Sequence, residues 1–189
     1  MPALTVIGGP NGSGKTTLTK YLIENGRVKT DVINPDQIAH EELGSYALHV
    51  KAARMALQRR QKAIDQNTDF TFETTFSGNS EINHIQKAKS KGYSLILYYV
   101  ALKSKLDNII RVEQRTTDAG HNVERDDILR RYTKSQSNLE KYIHLFDKAY
   151  LFDNSLSRFS RVAIFENGKL RWSNEKHKEH PFYKGLFKP

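Results

Sequence analysis

Apolar positions along this chain fall into short runs, separated by longer stretches with helical spacing. "ALTVIGG" is a short apolar run ending in glycines, the pattern of a buried strand. A helix is expected from Lys15 to about Asn25, with Gly26 as its stop. "TDVIN" reads as a second short strand that ends at Asn34-Pro35-Asp36. Tyr46, Val50, Ala53, Leu57 and Ile64 recur at helical spacing, which predicts an amphipathic helix from Ser45 to Gln66. "DFTFETTF" is rich in strand formers. Gly78 to Lys91 reads as a helix that Gly92 ends. "YSLILYYVAL" is the most apolar stretch and predicts a central strand buried on both faces.

Lys103 to Thr117 is helical again, with Leu106, Ile109 and Ile110 placed inward, and "DAGHN" breaks it. Asp126 to Phe146 follows as a helix carrying Ile128, Tyr132, Leu139 and Ile143 on one stripe. "KAYLFDNS" and "RVAIFENGKL" close the chain as two strands with a turn at Asn167-Gly168. Strands alternating with helices predict an α/β fold, a mainly parallel sheet flanked by helices, with room for an antiparallel last strand at an edge. A length of 189 residues without a Pro/Gly-rich linker fits one domain over residues 1–189.

Composition narrows the setting. No apolar run approaches ~20 residues, so no membrane span is expected. "MPALTVIGGP" has no basic region ahead of its apolar one and does not read as a signal peptide. The absence of cysteine excludes disulfides and thiolate metal sites, and agrees with a cytoplasmic protein. The net charge of +9 fits a nucleic-acid surface or a pocket for smaller polyanions. The aromatics do not alternate with Lys and Arg as in a stacking platform, and no nucleic-acid motif appears. The tail "EKHKEHPFYKGLFKP" reads as a solvated basic face.

Gly9-Pro10-Asn11-Gly12-Ser13-Gly14-Lys15-Thr16 fits G-x-x-x-x-G-K-[ST] at every fixed position, and Thr17 follows it into the helix. Its glycines let backbone N–H groups turn toward phosphate oxygens, and the next helix adds its positive end. Lys15 would reach the β- and γ-phosphates of ATP, and the Thr16 hydroxyl would take Mg²⁺. The motif follows an apolar strand and opens a helix, as that role requires. By itself it does not separate a kinase from an ATPase, a GTPase or a motor.

Ligands of open α/β sheets sit at the carboxyl ends of the strands. Asp36 follows the second strand, held by Pro35, and Glu73, Thr74 and Thr75 end the third. The apolar fourth strand ends "YYVAL", with no carboxylate. A single carboxylate poised to accept a hydroxyl proton suits a small-molecule kinase. Taken singly, Asp36 could equally cap the following helix, and Glu73 could pair with a nearby base. Arg111 and Arg115 share a helical face, and Arg130 and Arg131 lie early in the next helix. This segment, roughly 103–135, reads as a lid whose arginines cover the transferring phosphoryl group, with one of Arg130 and Arg131 serving the site.

The ordered set "GGPNGSGKTT", "INPDQIA", "FETTFSG", "RVEQRTTDAGHNVERDDILRRYTKSQSNL" and "YLFDNS" resembles the zeta-toxin family of P-loop kinases, over about Leu4 to Ser155. The resemblance implies ATP- and Mg²⁺-dependent phosphorylation of UDP-N-acetylglucosamine at the amino-sugar 3′-hydroxyl, by the toxin of a toxin–antitoxin pair. It implies Lys15 as the phosphate-loop lysine and Asp36 as the base. Glu73 and Thr75 match sugar-nucleotide contacts, and Arg115 with Arg130 or Arg131 match γ-phosphate arginines. The antitoxin would be a separate protein. The turn Ala119-Gly120-His121 stands where the family usually has Gly-Gly-His.

Overall fold

The computed structural model of the chain describes residues 1–119 and 124–187, apart from the side chains of residues 115–119. The first apolar run forms β1 (Ala3–Gly8), and α1 (Lys15–Glu24) follows it. β1 lies between β3 (Phe70–Thr74) and β4 (Ser94–Ala101) and runs parallel to both. β2 (Val32–Ile33) pairs parallel with β3, and β5 (Lys148–Asp153) pairs parallel with β4. All five strands therefore end at the same edge, where the phosphate loop begins.

β6 (Ser160–Glu166) and β7 (Lys169–Ser173) add antiparallel strands beyond β5. The sheet order is β2-β3-β1-β4-β5-β6-β7. The turn expected at Asn167-Gly168 joins β6 to β7, both residues at positive φ, so "RVAIFENGKL" is a hairpin rather than one strand.

One face of the sheet is covered by α1, whose Leu18 and Leu22 pack against Ile7, Tyr98 and Val100. The other face holds the larger core. There α3 (His49–Asp65), α4 (Asn79–Ser90) and α6 (Arg125–Tyr142) lay Ile64, Ile82, Ile85, Tyr132 and Leu139 on Leu95, Leu97 and Tyr99. The stripe expected for α6 is the buried one, with Ile143 just past the helix end.

Two other stripes are corrected. In α3 the inward face is Ala52, Ala56, Arg60 and Ile64, while Val50 is 64% exposed and Ala53 is exposed. In α5 (Lys105–Ala119) Asn108, Ile109 and Val112 are buried, whereas Leu106 is 56% and Ile110 49% exposed. In both helices the apolar residues allow two phases, and the neighbouring elements select one.

The C-terminal segment also departs from the solvated face expected of it. Lys176, Lys178 and Lys184 are exposed, but Phe182 and Tyr183 are buried in the main core and His177 and His180 lie beneath the surface. Phe182 packs edge-on against Tyr132 at 5.1 Å, and the Tyr183 hydroxyl donates to the Phe152 carbonyl at 2.8 Å. An alternation of basic and apolar positions anchors the strap while keeping its charges in water.

The strap's core contribution is measurable. Phe182→Ala is expected to cost about 3–5 kcal/mol of unfolding free energy in urea, the loss of a buried aromatic plus its cavity. A solvated tail would leave the midpoint unchanged.

Candidate active site

The loop from Gly9 to Gly14 is shaped by close approaches that tolerate no side chain at its three glycines; at Gly9 a Cβ would collide with the Val100 carbonyl. Gly12 has φ +75°, and a Cβ there would stand 2.5 Å from the Asn108 carbonyl of α5. Gly14 has φ +96° as the N-cap of α1, and a Cβ there would collide with the Asn154 side chain. The Gly9 amide donates to the Thr74 carbonyl at 3.2 Å, tying the loop to the end of β3.

Two side-chain amides brace the loop from outside. Asn108 Nδ2 donates to the Asn11 carbonyl at 2.5 Å, and Asn154 Nδ2 donates to the Ser13 carbonyl at 2.9 Å. Both bind carbonyls and so occupy none of the loop's N–H groups; of those, the Gly9 and Ser13 amides bond within the protein, to the Thr74 and Pro10 carbonyls. Lys15 Nζ donates to the Pro10 carbonyl at 3.1 Å, so its ammonium lies over the cradle. Thr17 is exposed on the first turn of α1.

The pairing of β3 with β1 sets Ile7 opposite Glu73 and Gly8 opposite Thr74. Side chains alternate along β3, so Glu73 points to the α1 face, away from Phe70 and Phe72. There it accepts from the Thr16 hydroxyl at 3.3 Å and the Thr19 hydroxyl at 3.1 Å. Burial pushes the Glu73 carboxyl up. Lys15 and the Thr19 hydrogen bond pull it back, and Asp36 pushes it further up, with a net upward shift.

Asp36 stands in the first turn of α2 (Pro35–Gln37). Pro35 occupies the first helical position, and the Asp36 amide donates to Asn34 Oδ1 at 2.9 Å, so Asn34 rather than Asp36 is the cap. That leaves the Asp36 carboxylate available to the site. A cavity of about 750 Å³ beside the loop is lined by Thr16, Asp36 and Glu73 together, with Lys20, Lys29 and Tyr46 around its rim. The structure thus gathers the loop threonine and both strand-end carboxylates around one space.

The remaining expected site residues are dispersed. Thr75 does not line this cavity; its hydroxyl bonds to Ser77 at 2.8 Å. Arg111 Nη2 donates to the Asn154 carbonyl at 3.0 Å, which makes it part of the loop's support. Arg130 and Arg131 both bind Asp127, at 2.7 and 3.2 Å, with side chains 70% and 38% exposed. The Arg115 side chain and residues 120–123 of the lid turn lie outside the described residues. Asn108, Asn154 and Thr19 carry no motif in the sequence; only Asn154 sits in a stretch, "YLFDNS", that the resemblance singles out.

A parallel sheet ending on a G-x-x-x-x-G-K-T loop, with Asp36 and Glu73 lining one cavity together with its Thr16, defines a P-loop protein of the kinase kind. The chain belongs to the zeta toxin family, whose model matches residues 1–177. It is 32% identical over 126 residues to an uncharacterized protein of Haemophilus influenzae, covering 66% of this chain and 88% of that one.

The fold is shared with the toxin–antitoxin system PezAT of Streptococcus pneumoniae, at a TM-score of 0.61 and 20% identity over 98% of this chain and 86% of that one. It is shared also with a crystal structure of AvrRxo1-ORF1:-ORF2 with ATP, at a TM-score of 0.71 and 17% identity over 96% of this chain. The chain spans 64% of the length of that neighbour. Among the described residues no helix is long and apolar enough to cross a membrane.

The upward shift of Glu73 has a pH signature. A carboxyl whose folded pKa is raised favours the folded state below its unfolded value of about 4.3, and that contribution is lost as pH rises through the folded value. The stability of the parent relative to Glu73→Gln is therefore expected to fall as pH rises from 4 to 8. Urea titrations at several pH values would show it, and a pH-independent difference would contradict it.

Proposed function

We propose that the chain transfers the γ-phosphoryl group of ATP to a hydroxyl of a small metabolite, most directly the amino-sugar 3′-hydroxyl of UDP-N-acetylglucosamine or a related nucleotide sugar. The observation that carries this reading is the shared cavity, in which Asp36 and Glu73 face the loop threonine Thr16. A P-loop alone holds phosphate; a carboxylate across an open cavity from it is what an acceptor hydroxyl needs.

In this reading the backbone N–H groups of Asn11, Gly12 and Gly14 and the Lys15 ammonium hold the phosphate chain. The Asp36 carboxylate takes the proton of the acceptor hydroxyl as its oxygen bonds to the γ-phosphorus. The bond from that phosphorus to its bridging oxygen breaks, and ADP leaves. The oxygen-only donor set of Thr16, with Glu73 bonded to its hydroxyl, suits a hard cation held chiefly by substrate phosphates. Mg²⁺ there would neutralise charge on the β- and γ-phosphates. Glu73 would orient the Thr16 hydroxyl and, with Thr75, take part in acceptor binding.

Arg115 and one of Arg130 and Arg131 would stabilise charge on the transferring group. Arg131 is the better placed of that pair, being the less exposed. A fold shared with a structure containing ATP and with a toxin–antitoxin system is in keeping with ATP as donor and with a separate antitoxin partner.

Asp36→Ala is expected to lower phosphoryl transfer to UDP-N-acetylglucosamine by about 10²–10⁴-fold while leaving ATP affinity within about twofold. Mass detection of the phosphorylated sugar nucleotide, with calorimetry for ATP, separates the two effects. Undiminished transfer in the variant would remove Asp36 as the base. Labelling of a different acceptor would move the substrate to another hydroxylated metabolite.

A further inference from the structure

Residues 178–187 lie beyond the portion matched by the family model, yet they are tied to the phosphate loop through one residue step. The link begins at Asp153, the last residue of β5, which is buried at the base of the C-terminal strap. His180 Nε2 lies 3.3 Å from Asp153 Oδ1, and His177 Nδ1 lies 3.6 Å from Oδ2. The same carboxylate accepts the Ser155 amide at 2.9 Å and its hydroxyl at 2.6 Å. Burial raises the Asp153 carboxyl, but the nearby His180 ring nitrogen and the Ser155 hydrogen bonds outweigh it and hold it at about 2.

The tautomers decide what this cluster is. The Phe182 amide donates to His180 Nδ1 at 3.2 Å, so that nitrogen carries a lone pair and Nε2 carries the hydrogen. His180 Nε2–H therefore lies against Asp153 as an electrostatic contact, not an aligned hydrogen bond, and has no lone pair there for a metal ion. His177 Nε2 is bonded to the Ser160 hydroxyl at 2.8 Å, and a hydrogen on Nδ1 facing the carboxylate is the favourable arrangement. Among the described residues no group of three His, Asp or Glu side chains is arranged to hold a metal. The cluster is a carboxylate clasp that fastens the strap to the end of β5.

Asn154 is the next residue, and its backbone amide, backbone carbonyl and side-chain NH₂ are all committed. Its amide donates to the Ala101 carbonyl at 3.1 Å, its carbonyl accepts from Arg111 at 3.0 Å, and its side chain donates to the Ser13 carbonyl at 2.9 Å. Ser155 Oγ also accepts the Lys103 amide at 2.8 Å. A shift of Asp153 therefore moves the brace of the phosphate loop directly.

We propose that the C-terminal strap is a working part of the nucleotide site: His180 and His177 fix Asp153, Asp153 fixes Asn154, and Asn154 holds the Ser13 carbonyl so that the loop keeps its phosphate-binding shape. The strap residues are positioning residues. The inference rests on the reading of the loop as a nucleotide site, and it is independent of the acceptor.

A double-mutant cycle tests it on the full chain. ATP affinity is measured by calorimetry for the parent, His180→Ala, Asn154→Ala and the double variant, with Lys15→Ala as the loop control. Each single change is expected to weaken ATP about tenfold, the effect of losing one brace hydrogen bond. The double variant should be little weaker than either single one, because both changes break the same chain of contacts. Inorganic tripolyphosphate should weaken in parallel, since the loop and not a base contact is altered.

A merely structural strap would lower the melting temperature of His180→Ala but leave ATP affinity of the folded protein unchanged, and that result overturns the proposal. Full additivity in the double variant also overturns it. If the parent binds no ATP and Lys15→Ala changes nothing, the nucleotide reading falls and the proposal with it. Should His180→Ala fail to fold, His180→Phe, which keeps the ring volume and removes the donor, replaces it in the same cycle with the same criteria.

Discussion

The parallel pairing of β1 with β3 is the constraint on which the rest of the site depends. It brings Glu73 level with Ile7, one rung before the strand turns into the phosphate loop. Without that register, the Thr16 and Thr19 hydroxyls would face no carboxylate, and the cavity beside the loop would have one acidic wall instead of two. The cost is a buried carboxyl whose ionisation is disfavoured. Such a cost is common where a protein places charge for chemistry instead of stability. The adjacent β2 adds Asp36 at the same edge, because Pro35 and the Asn34 cap start a helix immediately after the strand.

The phosphate loop is rigid for a reason outside its own sequence. Its glycines permit the wrap, but Asn108 from α5 and Asn154 after β5 hold it from two sides through backbone carbonyls. Arg111 then holds Asn154, and Asp153 on one side of it binds Ser155 on the other. The result is a shell of polar side chains around a backbone cradle, in which the groups nearest the phosphate site are themselves positioned by residues far away in the chain. Preorganisation of this sort lowers the reorganisation required when a charged group arrives.

Local interactions were legible in the sequence, and long-range ones were not. The loop and the stop at Gly26 each depend on neighbours within a few residues, and each appears where the pattern places it, whereas the cap of the helix at Asp36 falls to Asn34 and not to Asp36. The alternation of strands and helices also carried the sheet, including its parallel core. The inward faces of α3 and α5 were misread because both helices carry apolar residues in two phases. Which phase is buried depends on the sheet beneath α3 and on the loop and α6 beside α5.

The strap was misread for a related cause. Its lysines dominate the composition, while burial is decided by four residues, His177, His180, Phe182 and Tyr183, whose partners lie on β4, β5 and α6. Asn154 stood in view within "YLFDNS", but its role required knowing that β5 ends beside the loop.

The central claim is that donor and acceptor halves of a kinase site meet in the cavity between the loop and Asp36. The most direct measurement is incubation of the chain with ATP, Mg²⁺ and a cell metabolite extract, read by mass for species that gain one phosphate. The account predicts a hydroxylated small molecule, a nucleotide sugar first among them, that gains a phosphate while ATP is converted to ADP. Conversion of ATP to ADP with only inorganic phosphate released, and no phosphorylated metabolite, would contradict it.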